Sequence, residues 1–184
     1  MNRLLTQDQA ALLVIDVQER INAVMADQGH LARIEVLVEA CKSLDVPVIG
    51  SEQYPKGLGP TVASLSSALG ETPAGKLTFS CIRDDELRQT ITDSGRQQVV
   101  VTGIETHVCV LQTVIDLIGG GFEVHVPHDA VNSRRPADKE WALRRMAAAG
   151  AVITSTESAL FELVERCDTA DFKMVAKLVK RIPV

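Results

Sequence analysis

Short runs of Val, Ile, Leu and Ala alternate along this chain with longer stretches of helical periodicity, and no other feature constrains the fold as much. Runs of about four to eight apolar residues lacking a period-two polar face read as strands buried on both sides, and helix-length segments between them read as crossovers. The strands are expected at residues 10–16, 46–51, 76–79, 98–103, 123–127 and 151–154. Helices are expected at 30–44, 84–94, 107–118 and 137–149, with glycines at 119–121 and 150 ending two of them. The expected fold class is therefore α/β: a doubly wound, mostly parallel six-stranded sheet with helices on both faces. A chain of 184 residues is about one domain's worth, so residues 1–184 are read as a single domain.

Composition narrows the function. Hydrophobic residues make up 46% and charged residues 23%, as in ordinary globular proteins. A formal net charge of −5 with dispersed Lys and Arg leaves no footprint for a phosphate backbone, so nucleic acid is not expected as a partner. The apolar run near residues 10–15 is too short for a membrane span or a signal peptide's apolar region, so a cytoplasmic location is expected and no membrane partner. Cys41, Cys81, Cys109 and Cys167 show no C-x-x-C spacing, which favours neither a zinc cluster nor a disulfide framework.

In a doubly wound sheet ligands bind beyond the carboxyl ends of the strands, where strand order reverses. Asp16 ends the first apolar strand, either facing that crevice or capping the helix that follows. Cys109 lies just after the fourth strand, in the first turn of a helix whose N-terminal position Thr106 can cap. Unpaired N–H groups of such a turn stabilise a thiolate and an oxyanion, although a buried structural cysteine fits this segment equally well. Two residues apart on a helix is roughly 200° of rotation, so His107 should point away from the thiol. His30 reads as a surface residue at a helix start, and His125 and His128 as core or turn residues at a strand end. Lys76 alone reads as a surface lysine. Beside Asp16 and Cys109 it would lower the thiol's pKa and keep the carboxylate charged.

Val14-Ile15-Asp16-Val17-Gln18, then Gly75-Lys76, then Gly103-Ile104-Glu105-Thr106-His107-Val108-Cys109-Val110 resemble, in order and spacing, the isochorismatase-like cysteine hydrolases. Asp129-Ala130 and the segment Trp141-Ala142-Leu143-Arg144-Arg145-Met146 resemble that family's C-terminal half. The resemblance implies a catalytic triad of Asp16, Lys76 and Cys109. Asp16 takes the thiol proton, Cys109 attacks a carbonyl carbon to form a thioester, and Lys76 supports the charge. It also implies a cis peptide between Ile104 and Glu105 and an oxyanion site made by the N–H groups of Val108 and Cys109. Gln18, Gln53, Tyr54 and Phe79 are the expected substrate-pocket residues.

Two departures refine the expectation. Nicotinamidases of the family carry an Asp-x-His metal motif after the second strand, where this chain has Gly50-Ser51-Glu52-Gln53-Tyr54-Pro55, so no metal or other cofactor is expected. Isochorismatases proper lack the nucleophilic cysteine, so Cys109 points to a small amide or related acyl substrate. The loop from Glu52 to Gly59 resembles a metal-free branch of the family. A thiol redox sensor, or a catalytically idle scaffold of the same fold, is the alternative. Phe172, Val175, Leu178, Val179 and Ile182 give the tail an amphipathic helical pattern, read as packing on its own domain. The resemblance adds the expectation of a homo-oligomer.

Overall fold

The computed structural model describes residues 4–70 and 72–182. Its strands are β1 (Ala10–Ile15), β2 (Val48–Gln53), β3 (Ala74–Lys76), β4 (Gln98–Ile104), β5 (Glu123–Pro127), β6 (Val131–Asn132) and β7 (Val152–Thr154). The helices are α1 (Glu19–Asn22), α2 (Gly29–Ser43), α3 (Pro55–Leu58), α4 (Ala63–Leu69), α5 (Asp85–Asp93), α6 (Leu111–Gly119), α7 (Pro136–Ala149), α8 (Thr156–Val164) and α9 (Ala170–Val179). The strands pair in parallel in the order β3-β2-β1-β4-β5-β7, with β6 beside the end of β4. The chain winds outward from β1 to β3, returns to place β4 against β1, and then winds the other way. The reversal lies between β1 and β4.

Both of these central strands are buried along their whole length, which is why they read as continuous apolar runs. Alternation along β1 divides the core. Leu12 and Val14 face a layer built from α2, α4, α8 and α9, including Ile34, Leu37, Leu65, Leu160 and Val175. Leu13 and Ile15 face α5, α6 and α7 through Leu87, Ile91, Val114, Leu117 and Met146. Each such Leu or Ile taken fully out of water contributes about 1.5–3 kcal/mol, so these two layers hold the sheet between them.

The α/β class and doubly wound sheet agree with the sequence reading, and the differences are local. The sheet has seven strands rather than six. Two-residue β6 is too short to leave a pattern. β2 starts at Val48 rather than at residue 46, because the Val46 N–H closes the end of α2 on Cys41 O (2.8 Å) and Pro47 has no N–H for a ladder. β3 ends at Lys76 instead of beginning there, because the next residues curl round the lysine's ammonium group. Helices α4 and α8 were not anticipated, although Ser155 marks the start of α8 by accepting from Ser158 N–H (3.1 Å). On α7 it is Ala142 and Met146 that are buried, while Trp141 is 66% exposed with the Arg144 guanidinium stacked over its ring at 4.9 Å. The tail helix is α9, capped by Thr169 and packed on its own chain through Val175 and Leu178.

His30 is a correction. It is buried rather than at the surface: Nε2 donates to Asn22 Oδ1 (2.8 Å), and Nδ1 accepts from Asn132 Nδ2 (3.2 Å). Burial pushes its pKa down to about 4, so at neutral pH the ring is an uncharged strut tying α1 and α2 to β6.

Candidate active site

At the end of β1 the backbone turns into the left-handed region at Asp16 (φ 54°), and the Asp16 N–H still donates to Ser51 O (3.0 Å). Beside it on β4, Gly103 (φ 112°) lies so close to β1 that a Cβ there would sit 2.1 Å from the Ile15 carbonyl oxygen. Only glycine permits that approach. The chain then passes through a cis peptide between Ile104 and Glu105 into a wide π turn, Thr106–Val110, that carries Cys109 before α6 begins.

The three strand ends bring Asp16, Lys76 and Cys109 together at the reversal of strand order. Lys76 is 1% exposed, and its Nζ donates to Asp16 Oδ2 (2.7 Å), Gln53 Oε1 (2.7 Å), Phe79 O (3.1 Å) and Thr78 O (3.3 Å). Burial opposes the ammonium, but the Asp16 carboxylate beside it outweighs this and raises the Lys76 pKa, so the lysine stays charged. Ser51 Oγ donates to the other Asp16 oxygen (2.8 Å), and the Cys109 thiol, its Sγ 3.9 Å from Gln53 Oε1, lies within the field of this carboxylate.

The thiol does not rest as a thiolate. Burial, then the Asp16 charge, push the Cys109 pKa up, and Lys76 offsets only part of this. Lys76 does lower it, as expected, but the net shift is upward, because the lysine is engaged by Asp16 and the apolar surroundings disfavour charge on sulfur. Alkylation follows from this. At neutral pH iodoacetamide should label the exposed Cys167 first; Cys109 should follow slowly and accelerate as pH rises. Burial also raises Cys81, to about 11, and Cys41, to about 12, so these should lag furthest. Peptide mapping over a pH series reads the order, and labelling of Cys41 or Cys81 before Cys109 would contradict it.

Other expected site residues are placed differently. Gln18 is buried and spent on structure: it accepts from Gln53 N–H (2.8 Å) and donates to Gln53 O (3.1 Å) and Gly59 O (2.7 Å), leaving no arm for a substrate. Val108 N–H donates to Glu105 O (3.0 Å) and is not free for an incoming oxygen. Glu105 is held by Arg134, whose backbone N and Nε each lie 3.0 Å from Oε2. Thr106 does not cap; its buried Oγ1 has no hydrogen-bond partner, and Glu105 occupies the cap position. Tyr54 and Phe79, each 51% exposed, follow or adjoin the residues that enclose Lys76. His107 faces away from the thiol, with Nδ1 3.0 Å from Ser133 Oγ and Nε2 3.9 Å from Asp138.

Sequence reasoning missed Ser51 and Leu77. Ser51 shares a strand face with Gln53, two residues on, so the alternation along β2 was the available signal. Leu77, 76% exposed, joins Tyr54 and Phe79 as uncovered apolar surface. Among the described residues no cluster of three or more His, Cys, Asp or Glu side chains is arranged to hold a metal, and no helix is long and apolar enough to cross a membrane. A broad groove lined by Leu5, Leu44 and Arg96, which precede β1, β2 and β4, and by Phe161 of α8 lies apart from the cluster of Asp16, Lys76 and Cys109. It contains none of the charged groups gathered at the reversal.

Comparison with known proteins gives a consistent answer. The Isochorismatase domain model matches residues 10–158. Isochorismatase domain-containing protein 1 of Danio rerio is 39% identical over 167 residues, covering 90% of this chain, which spans 59% of that longer protein. The secreted isochorismatase effector Isc1 of Phytophthora sojae is 38% identical over 177 residues, covering 93% of this chain and 84% of its own length. Among solved structures, the protein described as MAR1 ribonuclease from Caenorhabditis elegans superposes with a TM-score of 0.91 at 38% identity, covering 98% of this chain and 95% of that one. By the matched domain and by the length and identity of these alignments, the chain belongs to the isochorismatase family, whose members are usually hydrolases.

Proposed function

We propose that this chain is a cysteine hydrolase that cleaves a small amide or related acyl compound, with Asp16, Lys76 and Cys109 as its catalytic triad. One observation carries the reading: a carboxylate, an ammonium and a thiol share one buried cluster at the reversal of strand order, with Lys76 Nζ 2.7 Å from Asp16 Oδ2 and the Asp16 charge acting on the thiol. A protonated resting thiol suits this arrangement. Asp16 accepts the proton as sulfur attacks the carbonyl carbon, and Lys76 steadies the carboxylate while negative charge moves onto oxygen. The Cys109 N–H receives that oxygen in this reading, and Val108 N–H joins by exchanging its bond to Glu105 O. Collapse breaks the C–N bond, and the amine leaves with the proton held by Asp16. Water, deprotonated by Asp16, then cleaves the thioester, releasing the acid and restoring the thiol.

Tyr54 and Phe79 remain the proposed substrate neighbours, and Gln18 is withdrawn. The proposed domain spans the whole chain, acts without a cofactor and works in the cytoplasm, a location supported by four unpaired cysteines. Self-association is part of the reading, supported by the exposed apolar side chains of Trp141, Leu77 and Phe79. The ribonuclease description belongs to the worm protein. In this chain a net charge of −5 and a thiol only 6% exposed favour a small, uncharged substrate over a phosphodiester backbone.

The test is to incubate the protein with a panel of small amides, follow ammonia release, and quench for intact mass. An acyl adduct mapped to Cys109 is expected. Ammonia release without any adduct, in a protein whose Cys109→Ala variant is equally active, would overturn the nucleophile. Peroxide-dependent oxidation of Cys109 with no amide turnover would favour the redox alternative, for which Cys81, 3.6 Å from Ser51 Oγ, is the nearby second thiol.

A further inference from the structure

Gln53 lies where a substrate contact was expected, but its bonds describe another task. Its side-chain carbonyl accepts from Lys76 Nζ at 2.7 Å and stands 3.9 Å from Cys109 Sγ, on the thiol's donor side. Its amide nitrogen donates to Leu77 O (3.1 Å), which sets the amide orientation and ties down the loop that encloses the lysine. The backbone is held as firmly: Gln18, fully buried, brackets the Gln53 N–H and carbonyl with its own amide. Tyr54 N–H then donates to Lys76 O (2.9 Å), continuing the β2–β3 register in which Gln53 pairs with Lys76. A side chain fixed at both ends and in its backbone is poorly suited to following a variable ligand and well suited to fixing a neighbour.

From this geometry we infer that Gln53 is a positioning residue of the proposed triad, holding the Lys76 ammonium on Asp16 and accepting the Cys109 S–H. The charged and titratable groups facing the thiol are Asp16, Lys76 and Cys81. The Lys76 ammonium divides its three protons among Asp16, the Gln53 carbonyl, the Thr78 and Phe79 backbone carbonyls and, once formed, a thiolate. Occupying one proton with a neutral acceptor removes it from the thiolate, and the same acceptor also receives the S–H. Both effects favour the protonated thiol. Gln18, sequestered from the site, matters by keeping that carbonyl in place.

The inference rests on the triad reading, so its test separates the two. Cys109 alkylation, read by peptide mapping over a pH series on the full chain, gives the thiol's titration midpoint without any need for turnover. Gln53→Met keeps length and removes the acceptor, so the midpoint should fall by about one unit, roughly a tenfold rise in thiolate at a fixed pH below it. Gln53→Glu puts a negative charge beside sulfur and should raise the midpoint instead. In a small-amide assay the acid limb of kcat/KM should move with the midpoint, with KM changed less than about threefold. Opposite shifts in two variants with native circular dichroism support positioning; a merely structural residue would give loss of fold or no shift. Unchanged midpoints in both variants, or a large rise in KM alone, would return Gln53 to the substrate pocket. If Gln53→Met does not fold, the Gln53→Glu midpoint decides alone. Full turnover by Cys109→Ala would defeat the triad and leave the alkylation result standing.

Discussion

Turnover of a small amide should fall about 10²–10⁴-fold in each of Cys109→Ala, Asp16→Asn and Lys76→Met, the range typical of losing a positioned proton acceptor or its support. The Asp16→Asn side chain keeps its shape but can no longer accept the thiol proton, while Cys109→Ala removes the attacking atom. These groups act as one unit. A Cys109→Ala, Asp16→Asn double variant should therefore be little slower than Cys109→Ala alone. His107→Ala should keep most activity, because its ring meets Ser133 and Asp138 rather than the thiol. Loss of turnover in His107→Ala with retention in Asp16→Asn would replace this chemistry with a Cys–His mechanism.

Stability must be measured alongside, since the sequence alone gave no reason to expect these replacements to disturb the fold. The Lys76–Asp16 pair is almost completely buried. Removing the lysine leaves a carboxylate without its partner, at a cost of about 3–5 kcal/mol, whereas removing both charges in Asp16→Asn with Lys76→Met should restore most of that. Urea unfolding reads the difference. A double variant that is stable yet inactive places the loss in the chemistry. Equal instability of single and double variants would mean that packing, not charge, dominates the cluster.

The second large effect is expected at a position that carries no side chain. In Gly103→Ala the new methyl carbon would lie 2.1 Å from the Ile15 carbonyl oxygen, at a backbone φ of 112° that L side chains rarely adopt. The obstacle is backbone, which has no rotamer to yield. Either β4 moves off β1 or the turn to Ile104 changes hand, and both displace Asp16 and Cys109. We expect a loss on the order of 4 kcal/mol or more, visible as poor recovery of folded protein or a much lower urea midpoint. A Gly95→Ala control at another positive-φ glycine, where a Cβ would meet nothing within 4 Å, should cost far less. Similar midpoints for the two variants would refute the close-approach argument.

Much of the fold could be read along the chain because its determinants are local or periodic. The run from Ala10 to Ile15 shows that both faces of β1 are buried, and Gly150 marks the end of α7. Asp16 and Cys109 were legible at strand ends, whereas Lys76, which alone reads as a surface lysine, was legible only through the family resemblance. What escaped depends on distant neighbours. Two-residue β6 exists because β4 offers it a partner. His30 reads as a surface residue until Asn22 and Asn132 close round its ring, and only burial then lowers its pKa to about 4. The protonation of Cys109 was decided in the same way. Spacing along the chain brings a lysine and a thiol into one site, but which acceptor takes the lysine's protons is a matter of distances, and those favour Asp16 and Gln53. The sequence by itself determined where Asp16 and Cys109 lie, because strand ends and glycine positions are local properties. Tertiary structure alone decided which of them carries the proton, because charge on sulfur depends on the water excluded and the partners left beside it.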